Sequence, residues 1–285
     1  MKNFNLPVLG AGAGLRHEHL DEIVQKWPAF KWFEVIAEDW MGIGGAIKSS
    51  FDRIRERYQI ISHGVCLSIG STDPLNIGYL KNLRKFLDEI KTPWTSDHLC
   101  FTMVDHTNLV DLIPLPFTSE AVKHIVERIK VVQNELERPF LLENVTRYIT
   151  VSDREMPESE FISRILEEAD CGLLLDVTNV HLNSKFHEYD AFEFIKSLPY
   201  RRVGQIHLAG WIPEENGEII DSHDAPVPPE VWALFERTLE LIGPTSVLIE
   251  WDSHLPDVER LLQETHIANR LLSKYSESQS SLEAA

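Results

Sequence analysis

Basic residues are scarce in this chain. Its 285 residues carry 27 Lys and Arg against 45 Asp and Glu, a formal charge of −18. Phosphate binding needs clustered cations, so this balance argues against a nucleic-acid partner and equally against an anionic membrane surface. Cysteine is scarce too. Cys66, Cys100 and Cys171 are odd in number and lack zinc-type spacing, which leaves neither a disulfide framework nor a thiolate zinc site to expect, only reduced and mostly buried thiols. Long apolar runs are missing: none reaches the length of a bilayer span, and the MetLysAsnPheAsnLeuPro start lacks the apolar core of a signal peptide. The expectation is a cytoplasmic protein without a membrane partner. No internal repeat or break in composition marks a second domain.

What is present is a soluble-type composition, 43% hydrophobic and 25% charged, at a length that suits one α/β barrel or two ordinary domains. Short apolar stretches at about 31–37, 59–67, 94–100, 139–145, 172–178, 202–209 and 245–251 read as strands. Helical periodicity separates them, as in Leu80, Leu83, Phe86, Leu87 and Ile90, or in Val122, Ile125, Val126 and Ile129 after an N-cap at Thr118 or Ser119. The Gly-rich segment 8–14 has the wrong spacing for a dinucleotide fingerprint and reads as a first strand with close backbone contacts. Eight strands alternating with helices predict parallel pairing through helical crossovers, and a single-domain (β/α)8 TIM barrel is the simplest closure. Its boundaries are set at 1–272, with 273–285 as a polar, disordered tail.

In such a barrel the active site gathers at the C-terminal strand ends. The strand beginning at Gly172 ends on Asp176, with Asn179 and His181 just beyond, and a carboxylate at the end of a buried strand calls for a compensating charge. Five other strands end in the same manner, on His63, His98, Glu143, His207 and Glu250. The 209–228 loop, longer than an ordinary crossover, adds Asp221 and His223, whose i, i+2 spacing in extended chain puts both on one face. A lone histidine or carboxylate is commonly a hydrogen-bonded core group. Several in register are different, because uncompensated carboxylates packed together repel one another, so metal binding is the expectation. Imidazole and carboxylate without thiolate suit iron, manganese or zinc, and this donor set does not choose among them.

Weaker candidates surround this set. Glu34 and Glu38 flank the end of the second strand, as supporting or substrate groups or as exposed residues at a helix start. Asn144 and Asn179 follow presumed ligands and either orient them or hold substrate. Arg16 and Arg147 are the cations to consider for anchoring an acidic substrate, ordinary ion pairs being the alternative. The remaining histidines, His17, His19, His106, His124, His187, His254 and His266, are expected at the surface.

The motifs GlyAlaGlyLeuArg (12–16), HisGlyValCysLeuSerIleGlySer (63–71), SerAspHisLeuCys (96–100), ProLeuProPheThr (114–118), LeuLeuGluAsnVal (141–145), GlyLeuLeuLeuAspValThrAsnVal (172–180), GlnIleHisLeuAlaGly (205–210), AspSerHisAspAlaProVal (221–227) and LeuIleGluTrpAsp (248–252) resemble, in order along nearly the whole chain, the DUF692 (UPF0276) family. That family includes the TIM-barrel iron enzymes of methanobactin and 3-thiaglutamate biosynthesis. The resemblance implies an oxygen-dependent, multinuclear non-haem iron enzyme, with two or three irons in mixed Fe(II)/Fe(III) states and O2 as co-substrate. It would act on a cysteine of a ribosomally made precursor peptide by Cβ–H abstraction, with β-carbon excision or heterocycle formation. A small leader-peptide-binding protein would be its partner.

Carried onto this chain, the implied iron ligands are His63, His98, Glu143, Asp176, His207, Asp221, His223 and Glu250, with Glu143 as the bridge between two irons. Glu143, Asp176 and Asn179 are the implied catalytic residues, and Arg16, Asn144 and His181 the implied substrate contacts. Thr178, His181 and Cys66 depart from residues common in the family, and the ThrAsnValHis variant points toward 3-thiaglutamate-type chemistry. The alternatives are a divalent-metal-dependent sugar isomerase or lyase on a related barrel, a three-zinc phosphodiesterase, disfavoured by the acidic surface, and a non-catalytic metal-binding scaffold.

Overall fold

The computed structural model describes residues 4, 6–151, 154–213 and 219–283. Eight parallel strands close into a barrel: β1 (Ala11–Gly14), β2 (Trp32–Ile36), β3 (Gln59–Gly64), β4 (Thr95–His98), β7 (Phe140–Glu143), β8 (Gly172–Asp176), β9 (Val203–Leu208) and β10 (Ser246–Ile249). Neighbours around the barrel follow chain order, so the predicted TIM barrel is the fold. Nearly every strand residue is buried, as expected for parallel strands covered on both faces. The Gly-rich first strand is explained by contact: a Cβ on Gly12 would lie 2.4 Å from the Trp32 ring.

The two-residue strand period builds the site. Trp32, Ile61, Trp94, Leu141, Leu174 and Leu248 form an apolar cluster of their own, against which Phe4, Leu6 and Leu9 pack. Two residues further along each of those strands the inward position is repeated, by Glu34, His63, Ser96, Glu143, Asp176 and Glu250. One layer of the barrel interior is therefore dry, and the next is polar.

The helices that carry the crossovers are α1 (Leu20–Lys26), α2 (Ala37–Trp40), α3 (Gly45–Arg55), α4 (Ile77–Ile90), α5 (Ser119–Leu136), α6 (Glu158–Ala169), α7 (Val177–Phe186), α8 (Ala191–Ser197), α9 (Pro229–Ile242) and α10 (Val258–Glu283). Thr118 caps α5, its hydroxyl accepting from the Ala121 N–H. The last helix, α10, runs to Glu283, past the boundary expected at 272. Polar residues hold the added turn against α9: Lys274 reaches Glu236 at 2.6 Å and the Tyr275 hydroxyl donates to Glu240 at 2.9 Å. The side chains of 277–285 lie outside the described residues.

One element has no counterpart in the sequence reading. The antiparallel hairpin β5 (Phe101–Val104) and β6 (Thr107–Ile113) stands outside the barrel, between β4 and α5. Its two-residue turn, Asp105–His106, holds both φ angles positive, at 48° and 59°, as a type I′ turn requires. AspHis is not the AsnGly or AspGly that announces such a turn. The conformation is supported from a distance, by the Asp73 carboxylate accepting both turn N–H groups at 3.1 and 2.8 Å.

Candidate metal centre

Among the described residues, donor atoms fall in three groups, each within 4.8 Å: His63, His98 and Glu143; Glu143, Asp176, His207 and Glu250; and His223, Glu250 and Asp252. Glu143 belongs to the first two and Glu250 to the last two. Glu143 faces them with different oxygens. Its Oε2 is 3.3 Å from His63 Nε2 and 3.4 Å from His98 Nε2, while its Oε1 is 3.4 Å from His207 Nδ1. Glu250 Oε2 lies 3.0 Å from His207 Nδ1 and 3.2 Å from His223 Nδ1. Asp221 joins the outer group through His223, at 2.8 Å from its Nε2.

These contacts are close, yet many are not hydrogen bonds. Among buried side-chain atoms without a hydrogen-bond partner are His98 Nδ1, Glu143 Oε2, Asp176 Oδ2, Asp221 Oδ1 and both ring nitrogens of His223. Buried polar atoms are ordinarily paired, and leaving one unpaired costs about 1–3 kcal/mol. Lone pairs gathered about shared points, rather than aimed at donors, are the arrangement a cation satisfies. The residues fit a metal.

Electrostatics without the metal show the same strain. Burial pushes the Asp176 carboxyl well above its ordinary range, and the Glu143 and Asp221 carboxylates add to that. Burial would pull His207 and His223 down, but the surrounding carboxylates, Glu34 and Glu250 for the first and Asp221 and Glu250 for the second, hold both well up. Glu250 resists its burial and stays well below the usual carboxylate range because those two imidazoles face it. His63 is driven well down by burial and by His98 and His207. Protons on the two raised histidines take part of the role a cation would fill.

Three supporting groups are clearest in the structure. Glu34 is buried inside the barrel, its Oε1 3.0 Å from His207 Nε2 and its Oε2 accepting from Gln205 at 2.6 Å. It fixes the ring edge opposite the donor group, so the exposed alternative for Glu34 does not hold. Glu38, in the first turn of α2 and half-buried, is a clamp, its Oε1 accepting from the Val65 and Cys66 N–H groups and the Tyr79 hydroxyl. Asp252, the last residue of the LeuIleGluTrpAsp motif and not among the expected ligands, sits 3.4 Å from His223 Nδ1. It lies two residues past Glu250, the same i, i+2 signal that picked out Asp221 and His223.

Other expected roles change. Both polar atoms of Asn144 bond the main chain of Asp176, Oδ1 accepting from its N–H at 3.0 Å and Nδ2 donating to its carbonyl at 2.9 Å, so Asn144 holds this candidate ligand in place. Asn179 does the same work. Its N–H donates to Asp176 Oδ1 at 2.6 Å, making Asp176 the N-cap of α7, and its amide lies between Thr146 and the Asn144 carbonyl. Arg16 pairs with Asp252 at the edge of the outer group. Arg147 is spent on Glu158 at 2.6 Å. His181 falls in none of the donor groups and stacks on Trp211, ring centroids 5.8 Å apart. Thr178, also a departure from the family, bonds both polar main-chain atoms of Ala209. These two departures thus hold the start of the loop that carries Asp221 and His223. His19 is buried against the Pro256 carbonyl at 3.1 Å, contrary to the surface expectation. Cys66 is exposed as a residue, but its thiol is half-buried and is pushed up to about 12 by that desolvation and by Glu38 and Asp97; Cys100 and Cys171 are buried.

A closed β/α barrel whose strand ends converge on buried carboxylates and imidazoles defines a class, the barrels built around a candidate metal centre. The particular family follows from the sequence comparison. The profile described as RiPP precursor modification enzyme MbnB/TglH/ChrH matches residues 10–273, and the chain belongs to that family. A UPF0276 protein of Anaeromyxobacter is 42% identical over 265 residues, covering 93% of each chain. Another, from Acaryochloris marina, is 38% identical over 268 residues, covering 94% of this chain and 96% of that one. Solved structures similar in fold include a D-tagatose 3-epimerase-like protein, with a TM-score of 0.62, 14% identity and coverage of 94% and 99%. Endonuclease IV from Thermus thermophilus also matches, with a TM-score of 0.54, 12% identity and coverage of 95% and 100%. Those two likenesses concern the barrel alone. Among the described residues no helix is long and apolar enough to cross a membrane.

Proposed function

We propose that this chain is an oxygen-dependent, multinuclear non-haem iron enzyme that oxidises a cysteine of a ribosomally made peptide at Cβ, by 3-thiaglutamate-type β-carbon excision rather than heterocycle formation. The observation that carries the reading is the sharing of Glu143 and Glu250 among three donor groups, which suits several metal ions held side by side. Family membership supports a peptide substrate. The cytoplasm and a small leader-binding partner belong to the same reading.

His63, His98 and Glu143 would hold one ion, Glu143, Asp176, His207 and Glu250 a second, and His223 with Glu250, Asp252 and the adjoining Asp221 a third. Iron bound there would supply a seat for the substrate thiolate and the power to activate O2. The protein's own contribution is position. Asn144 and Asn179 fix Asp176, Ser96 bonds His63 Nδ1 at 2.8 Å, and Glu34 fixes His207. Trp94, whose indole bonds Gln205 at 2.7 Å, keeps the layer beneath dry.

The test is anaerobic purification with metal analysis, followed by air, a cysteine-containing precursor peptide and mass spectrometry. Iron bound to the protein, O2 consumed and a peptide that has lost its Cβ carbon are the expected results. Glu143→Ala should lose metal from two groups and lower turnover by at least about 100-fold. Iron content and turnover unchanged in that variant would sink the proposal. Turnover of a sugar without O2 uptake would point instead to the isomerase reading.

A further inference from the structure

Apolar surface collects at the mouth of the barrel. Of eleven large hydrophobic side chains exposed among the described residues, seven belong to the hairpin or to the segments that follow β7 and β9. Val110 on β6 is the extreme case, 89% exposed and at φ 56°. A β-branched residue in the left-handed region is strained, and an apolar one in water gains nothing from burial. Packing explains neither cost.

Beside Val110 runs a groove of about 540 Å³, lined among others by Asp111, Tyr148, Ile220, Cys66 and Asp221. Its volume is ordinary for a ligand pocket. Asp221 touches His223, and Thr146, which also lines the groove, bonds Asn179, so the groove is continuous with the outer donor group. Among the described residues its lining carries the Asp111 carboxylate, Asp221 at the outer donor group, and no Lys, Arg or His.

The hairpin wall is held in place beforehand. Arg128 donates to the carbonyls of Ser68, Ile69 and Asp73, and the Ser68 hydroxyl in turn accepts from the Thr102 and Met103 N–H groups. Strand addition to β6 is discouraged, because Asn108 accepts from the Val110 N–H at 2.8 Å and Asp111 from the Leu112 N–H at 2.7 Å. A guest is therefore gripped by its side chains.

We propose that this groove is the specificity subsite for the residues flanking the reactive cysteine, taking an apolar side chain together with a basic or neutral one and rejecting an acidic one. The inference rests on the peptide-modifying reading above. Continuity with the donor groups and complementary charge identify the occupant as a peptide segment, not a second copy of this acidic chain.

The experiment uses the full, metal-loaded chain without O2 and two fluorescein-labelled pentapeptides, LeuLysCysLeuLys and LeuGluCysLeuGlu, followed by fluorescence polarisation. The lysine peptide should bind at least about tenfold more tightly. Val110→Asn suits the left-handed backbone and removes the apolar contact, and should weaken that binding at least about threefold. Asp111→Asn keeps an acceptor for the Leu112 N–H, and should cut the preference between the peptides several-fold. Equal binding of the two peptides, or variants that bind like the parent, would overturn the proposal. So would Val110→Asn changing the sedimentation of the chain while leaving peptide binding alone, which would assign the face to a second copy. Admitting air separates the two readings. With full precursor peptides that carry these flanking residues and the leader-binding partner present, a peptide bound with the expected preference but returned at unchanged mass leaves the subsite standing and removes cysteine oxidation; both peptides oxidised alike with no preference does the reverse.

Discussion

Asn144 shows how much of this site depends on residues that would never touch a metal. Its amide bonds both main-chain groups of Asp176, and Asn144→Ala would remove both contacts beside a candidate ligand. The expected result is a loss of about 2–3 kcal/mol in chemical denaturation and a fall of about 10–100-fold in metal affinity, read by competition with a chelator. Glu34→Ala should weaken metal binding on a similar scale, because His207 loses the partner that fixes its outer edge. Such roles were only partly legible in the sequence. The eight ligand candidates stood out because each ends a strand or lies in one long loop. Glu34, near the end of the second strand, stood only among the weaker candidates, because β2 continues to Ile36 and nothing local shows that its carboxylate reaches His207.

Among the elements, the helices and barrel strands announce themselves through periodicity and caps, and the hairpin does not. Thr118→Ala should cost about 1 kcal/mol of stability by removing the cap on α5. Arg128→Ala should cost on the order of 3 kcal/mol in denaturant unfolding, since three main-chain carbonyls lose a charged donor. It should also raise KM for the peptide more than it lowers kcat, because the hairpin wall, not the donor groups, is what Arg128 secures. The hairpin escaped the sequence reading because its turn borrows stability from Asp73, over thirty residues away, and because β6 is mostly exposed and shows no alternation.

For the molecule as a whole, the buried carboxylates at the strand ends cost stability that a bound cation would offset. Removing metal should lower the melting temperature, and a metal at about 100 times its Kd should restore about 2.7 kcal/mol. The sign with pH follows from the directions above. His207 and His223 are raised, and Asp176 is raised, so in the metal-free protein their protonated forms favour the fold at mildly acidic pH. That contribution is lost as pH rises through the raised values, whereas metal binding must displace the same protons. The gap in melting temperature between metal-loaded and metal-free protein, measured by calorimetry, should therefore widen from about pH 6 to about pH 8. The sequence by itself determined the barrel and marked eight candidates at strand ends and in one long loop, because strand periodicity and strand-end residues are local properties of the chain. Only the tertiary structure decided which carboxylates are shared, which amides support them and where the groove opens, because closing the barrel is what brings Glu143, Glu250 and the loop from β9 to within a few ångströms of one another.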